Sequence, residues 1–341
     1  MRIISAVALS FMLVVGSSAA KAAPLELNLV TMWPEIQNQM VEVVFPWAKK
    51  IEQATNGEIK INVFAGGTLV DATENSKAVE SGMADLAIWT PDAQEHPNMF
   101  LTQAPYMGKS LRNITDIIRE LIKQVPALNK EVQGPGVFLG FSTSAPHIIA
   151  SVNTPIRNPE DLQGKRVLVV TPAQAPMIEC WGGQPIYVAQ GDVYIGLQRG
   201  MGEAYVSGAS NVRGLRIMEV AKYMTQPGFP QGGGFYFSMN RETFAELSPE
   251  HQKLFMELGA AMMDDICESF VKDYQISVDS YIAAGSQMVD ISPETMEKWQ
   301  NATVKPLRAV QERLTEQAGL KNPGAITDEY YKIAATVPFR D

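Results

Sequence analysis

Residues 248–284 read SPEHQKLFMELGAAMMDDICESFVKDYQISVDSYIAA, and this stretch decides the architecture. Ser248 is a favoured helix N-cap, and Pro249 suits the first helical position because its missing N–H is not needed there. No proline follows inside the stretch, and Gly259 is its single glycine. An unbroken helix to about Ala284 would run on the order of 50 Å, well beyond the roughly 30 Å width of a small domain. Such a helix joins two lobes as a strut. The alternative is two shorter helices broken near Gly259.

On the N-terminal side of this stretch the pattern alternates strand and helix. Leu27, Leu29 and Thr31 share one side of a strand over 25–31. A helix over 36–54 follows, with Met40, Val44, Trp47 and Ile51 on one face and Asn56-Gly57 as its stop. Strands at 59–63 and 85–89 flank a helix over 71–81. The unit recurs in the middle of the chain, with strands at 137–141, 167–170 and 186–188. Between them lie a capped turn at Asn158-Pro159 and helices over 176–181 and 192–199, and a further strand at 235–239 follows Gly232-Gly233-Gly234. Alternation of this kind specifies an α/β fold with a mainly parallel sheet. With the strut it predicts two lobes with a ligand cleft between them.

The first residues read as a leader. Arg2 precedes an apolar run from Ile3 to Val15, and small residues lead to Ala20-Lys21-Ala22, a cleavable A-x-A pattern. Residues 1–22 are therefore expected to be a signal peptide removed on export to the periplasm. Its loss takes away Arg2 and Lys21, leaving 26 basic against 37 acidic side chains, a net charge of −11. So acidic a chain is unsuited to nucleic acid, whose phosphates demand a basic face. The two cysteines, Cys180 and Cys267, sit among apolar neighbours and read as buried thiols rather than as a disulfide.

Catalytic and metal patterns are not found. The three histidines, His96, His147 and His251, lack metal-ligand spacing. There is no nucleophile elbow, P-loop or dinucleotide fingerprint. The expectation is a binding protein without catalytic residues, metal or cofactor, acting as a monomer on a small organic solute.

Several segments resemble the substrate-binding proteins of TRAP transporters, the DctP family. They are 47–52 (WAKKIE), 55–61 (TNGEIKI), 64–69 (FAGGTL), 79–86 (VESGMADL), 158–167 (NPEDLQGKRV), 191–200 (GDVYIGLQRG), 219–225 (EVAKYMT) and 239–244 (MNRETF). The resemblance runs in order along nearly the whole chain. It implies a two-lobe periplasmic-binding-protein-like fold that closes over a small organic ligand and delivers it to a TRAP membrane permease. An ABC-type binding subunit and a secreted two-lobe enzyme are the alternatives. The expected lobes are 23–146 plus about 235–274, and 147–234 plus about 275–341.

The resemblance also exposes departures. The family's carboxylate-binding arginine falls at Leu168, with Val167 as the alternative register. A second arginine of some members falls at His147, an aromatic ligand contact at Gln190 and an asparagine contact near Ser207. Asn211 and Arg213 lie in the family's asparagine-bearing region, and Arg213 either replaces the missing cation or is a solvated surface residue. Trp33 and Trp89 stand just past strand ends, where α/β folds place ligand contacts, or else belong to the core. The scaffold is kept while the pocket is rewritten, so the ligand is expected not to be a simple C4-dicarboxylate.

Overall fold

The computed structural model describes residues 23–170, 174–228 and 233–341; the expected leader, 1–22, lies outside them. The quoted stretch forms one uninterrupted helix, Pro249–Ala283, and the two-helix alternative falls away. Ser248 Oγ accepts the His251 N–H at 3.2 Å, closing the start of the helix. Gly259 does not break it but lets a strand come close, since a Cβ there would stand 2.9 Å from Leu139 Cβ. We call this helix the strut.

The strands fall into two sheets. In chain order they are β1 (Leu25–Thr31), β2 (Ile59–Phe64), β3 (Leu86–Trp89), β4 (Val137–Thr143), β5 (His147–Ser151), β6 (Arg166–Val169), β7 (Gln184–Tyr187), β8 (Ala204–Gly208), β9 (Tyr223–Thr225), β10 (Gly234–Met239) and β11 (Gln287–Val289). The first lobe carries the order β2-β1-β3-β10-β4, and the second β11-β9-β5-β8-β6-β7. Pairing is parallel among β1, β2 and β3, among β6, β7 and β8, and between β9 and β11. It is antiparallel where the crossing strands join, with β10 on β3 and β4, and β5 on β8 and β9. The expected parallel sheet thus becomes mixed. The reason is topological: β4 leaves the first lobe to become β5, and β9 returns to become β10, so each pair runs in opposite directions.

Each sheet is covered on both faces by apolar side chains. The strut contributes Phe255, Met262, Met263, Ile266, Cys267 and Phe270 to a first-lobe core. From Tyr274 onward, with Tyr281, it packs into a second-lobe core. The strut thus passes from one core to the other between Phe270 and Tyr274. Local departures are small. The helix expected over 36–54 begins with a π-turn, Met40–Val44, before Phe45–Ala54. Pro46 accounts for this, because its ring crowds the carbonyl four residues back and it has no N–H to donate.

The C-terminal tail does not stay with the second lobe as expected. Helix Pro293–Gln317 starts there, where Trp299 Nε1 donates to Arg157 O at 2.9 Å and the indole packs edge-on to Trp181. By Gln311 it has reached the first lobe, donating to Gln103 O at 3.0 Å. Helix Pro323–Ala334 then packs Tyr330 into a first-lobe core. The 25-residue helix is long enough, at roughly 37 Å, to carry the chain back across.

Candidate functional site

The two crossings bring the ends of β1, β5, β8 and β10 together, and the residues there define the candidate site. Trp33, 4 % exposed, follows β1. Its ring meets Phe235 of β10 edge-on at 4.6 Å and Phe270 of the strut at 6.1 Å, and Phe235 stacks on Phe270 at 6.0 Å. Ala145, in the β4–β5 crossing, packs against the same core. On the second-lobe side a Cβ on Gly208 would stand 3.3 Å from Ala145 Cβ, so the aromatic wall and the β8 end are neighbours.

His147 opens β5 and pairs in register with Gly208. The residue as a whole is half-buried, while protein encloses its imidazole. That enclosure lowers its pKa from 6.5 to about 4, so the ring is neutral at neutral pH. Ser207 is buried and accepts from Asn211 Nδ2 at 3.0 Å. Of the sequence candidates, Ser207 and Asn211 are bonded to each other, and His147 and Trp33 stand at the ends of strands β5 and β1. Trp33 belongs to an aromatic cluster, whereas His147, Ser207 and Asn211 are neutral polar groups of the second lobe; Ser207 pairs in register with Ile148, so its side chain leaves the opposite face of the sheet from His147.

The others lie elsewhere. Trp89 is fully buried: its Nε1 donates to Ser238 Oγ at 3.1 Å and its ring packs on His96 and Tyr236. Leu168 is fully buried among Ile148, Val193, Leu197 and Tyr205. Val167, the alternative register, is buried on the opposite face with Trp181 and Trp299. Gln190 is exposed at the start of a short turn after β7. Arg213 is neither a free pocket cation nor a solvated surface residue. Its guanidinium pairs with Asp273 of the strut through Nη2 and donates from Nε to Ser277 Oγ at 3.2 Å.

Phe235, Phe270, Asn38 and Asp273 were missed by sequence reasoning. Phe270 and Asp273 carried a readable signal. Ile266, Phe270, Asp273, Ser277 and Tyr281 follow helical spacing, so an acid was already in phase with the buried face. A concavity of about 370 Å³ lies beside the β9–β10 segment, lined by Gln226, Tyr274, Met288, Asp290 and Met296 among others; none of the sequence candidates lines it. Both cysteines are free, and burial raises the Cys180 thiol to about 12 and moves Cys267 upward as well.

The family model for bacterial extracellular solute-binding protein family 7, DctP, matches residues 29–313. The chain belongs to this family. It is 22% identical over 269 residues to a solute-binding protein of Albidiferax ferrireducens, covering 76% of this chain and 77% of that one. It is 23% identical to the ectoine-binding periplasmic protein TeaA of Halomonas elongata, over 73% and 74% of the two chains. In structure it resembles a marine metagenome TRAP solute-binding protein specific for aromatic acid ligands, with a TM-score of 0.79 at 18% identity, over 93% of this chain and all of the other. A Rhodoferax ferrireducens TRAP protein in complex with copurified benzoate matches with a TM-score of 0.77 at 13% identity, over 91% and 98%. This DctP-family chain therefore has the two-lobe fold of TRAP solute-binding proteins, and its role is solute binding. Among the described residues no helix is long and apolar enough to cross a membrane.

The neutral imidazole has a consequence for stability. The unfolded chain takes up a proton at His147 below about pH 6.5, whereas the folded chain resists protonation down to about 4. Stability from this group is full above that window and is lost as pH falls through it. The loss is about 1–3 kcal/mol, smaller to the extent that water reaches the ring. His147→Gln should flatten the dependence of Tm on pH between 6.5 and 4. An unchanged slope would mean that the imidazole is solvated.

Proposed function

We propose that this DctP-family protein is exported to the periplasm behind residues 1–22 and captures a small organic solute of aromatic character and little negative charge. It then passes the solute to a TRAP membrane permease. Trp33, Phe235 and Phe270 form the wall on which the solute's flat part rests, and His147, Ser207 and Asn211 supply its hydrogen bonds.

One observation carries the ligand class: the expected cations are absent or committed. Leu168, where the resemblance puts the family's arginine, lies inside a core, His147 is neutral, and Arg213 is spent on Asp273. A desolvated carboxylate needs a partner, and its burial without one costs several kcal/mol. Aromatic rings favour a flat solute, and the likeness to proteins that bind benzoate and other aromatic acids supports the aromatic part of the reading.

A thermal-shift panel that sets 3-hydroxybenzoate against 3-hydroxybenzamide, with succinate, malate and ectoine beside them, tests the ligand class. The amide should raise Tm at least as far as the acid, and the dicarboxylates should leave it unchanged. Tight binding by the acids alone would overturn the neutral-ligand reading and leave solute capture standing.

A further inference from the structure

We propose that Asp273 is the pivot about which the two lobes move, and that its bond to Asn38 is the contact exchanged during the motion. The strut belongs to two cores, and the change of ownership falls within one turn. Phe270 is the last strut residue buried in a first-lobe core, and Tyr274 packs on a second-lobe core. Between them, at the junction, stands a buried carboxylate rather than an apolar side chain.

Asp273 lies on a stripe, Ser269, Asp273, Ser277 and Tyr281, that repeats every four residues along one buried face of the strut. At one end Ser269 receives Gln39 Nε2 at 3.4 Å and donates to Glu42 at 3.2 Å, both in the first lobe. At the other end Ser277 receives Arg213 and Tyr281 donates to Ala209 O, both in the second lobe. Asp273 alone in this stripe holds both lobes. Its Oδ1 accepts from Asn38 Nδ2 at 2.7 Å and from the Arg213 guanidinium.

The two bonds are unequal. Arg213 is charged, doubly anchored by Asp273 and Ser277, and carried on helix Ala209–Gly214, which Tyr281 also pins. Asn38 is neutral, makes a single bond to Asp273, and sits in the segment between β1 and the π-turn. Asp273 Oδ2 is buried and has no hydrogen-bond partner among the described residues, so the carboxylate keeps an acceptor in reserve for a second arrangement. Close-packed apolar turns shift by repacking, whereas a polar contact can open and remake in discrete steps. The second lobe thus keeps its hold on the strut while the first-lobe contact lets go.

This inference rests on capture between two lobes, but its test needs no ligand, so its failure leaves that reading intact. Dyes at Thr68→Cys and Asp192→Cys, exposed positions at the strand ends of the two lobes, report the interlobe distance by single-molecule energy transfer. The native thiols are disfavoured for labelling by burial and raised pKa. In the dialysed protein, Asn38→Ala should change the ratio of wide to narrow populations by about fivefold, the scale of one lost hydrogen bond to a charged group moderated by water. Asp273→Asn should change it in the same direction, and Ser280→Ala, on the exposed side of the same helix, should not. Parent-like distributions in folded Asn38→Ala protein would overturn the proposal, whether or not Asp273→Asn folds. An equal change in Ser280→Ala would overturn it too.

Discussion

Leu168→Arg, which puts an arginine where the resemblance expects the family's, should unfold the second lobe instead of conferring carboxylate binding. Leu168 has no exposed surface and lies between Gly196 and Gly202 in a core with Tyr205 and Leu197. The packing leaves little spare room: a Cβ on Gly202 would stand 2.6 Å from Leu168 Cγ, and one on Gly196 3.0 Å from its Cδ1. A guanidinium at this point is longer than the leucine, meets no carboxylate in that core, and loses its hydration. Buried unpaired charge and overpacking act together, so the loss should exceed about 4 kcal/mol. At roughly 2–4 °C per kcal/mol for a chain of this size, Tm should fall by about 10 °C or more, or no soluble protein should be recovered. Circular dichroism of the purified variant reads this directly. Folded Leu168→Arg protein that gains micromolar succinate binding would show that residue 168 reaches the cleft.

Arg213→Met should be the second large effect, and on stability before any effect on ligand. Asp273 is only 3 % exposed at its side chain, while Arg213 is 29 % exposed. Removing the arginine therefore strands the more deeply buried charge, with Asn38 as its remaining partner and Oδ2 still unbonded. Breaking one side of such a pair costs about 3–5 kcal/mol. Adding Asp273→Asn to Arg213→Met should recover part of the loss, because an amide needs no counter-charge. Urea unfolding of the two single variants and the double variant measures the coupling. A loss below about 1 kcal/mol for Arg213→Met would put the pair among ordinary solvated ion pairs.

These two residues also show where sequence reading stops. Resemblance put Leu168 at the arginine position, but only the packed sheet shows that its side chain turns toward Gly196 and Gly202. Arg213 was open to two readings, pocket cation or surface residue, and its actual partner comes from a helix 60 positions further along. His147, Ser207, Asn211 and Trp33 were named from strand ends and family register. The aromatic partners of Trp33 were not, because Phe235 and Phe270 reach it from distant segments.

By itself the sequence determined the elements whose causes are local. Ser248 and Pro249 start the strut, the absence of interior proline lets it run, and the alternating strands announce an α/β fold. Caps, turns and periodicity act over a few residues, so they can be read without knowing the rest of the chain. Tertiary structure alone decided which lobe holds the C-terminal helix, why the sheets are mixed, and that Asp273 bridges Asn38, 235 positions away, to Arg213. Those outcomes depend on which surfaces meet after the chain has crossed between lobes. No local propensity encodes that meeting; it follows from burying the apolar faces of both sheets at once.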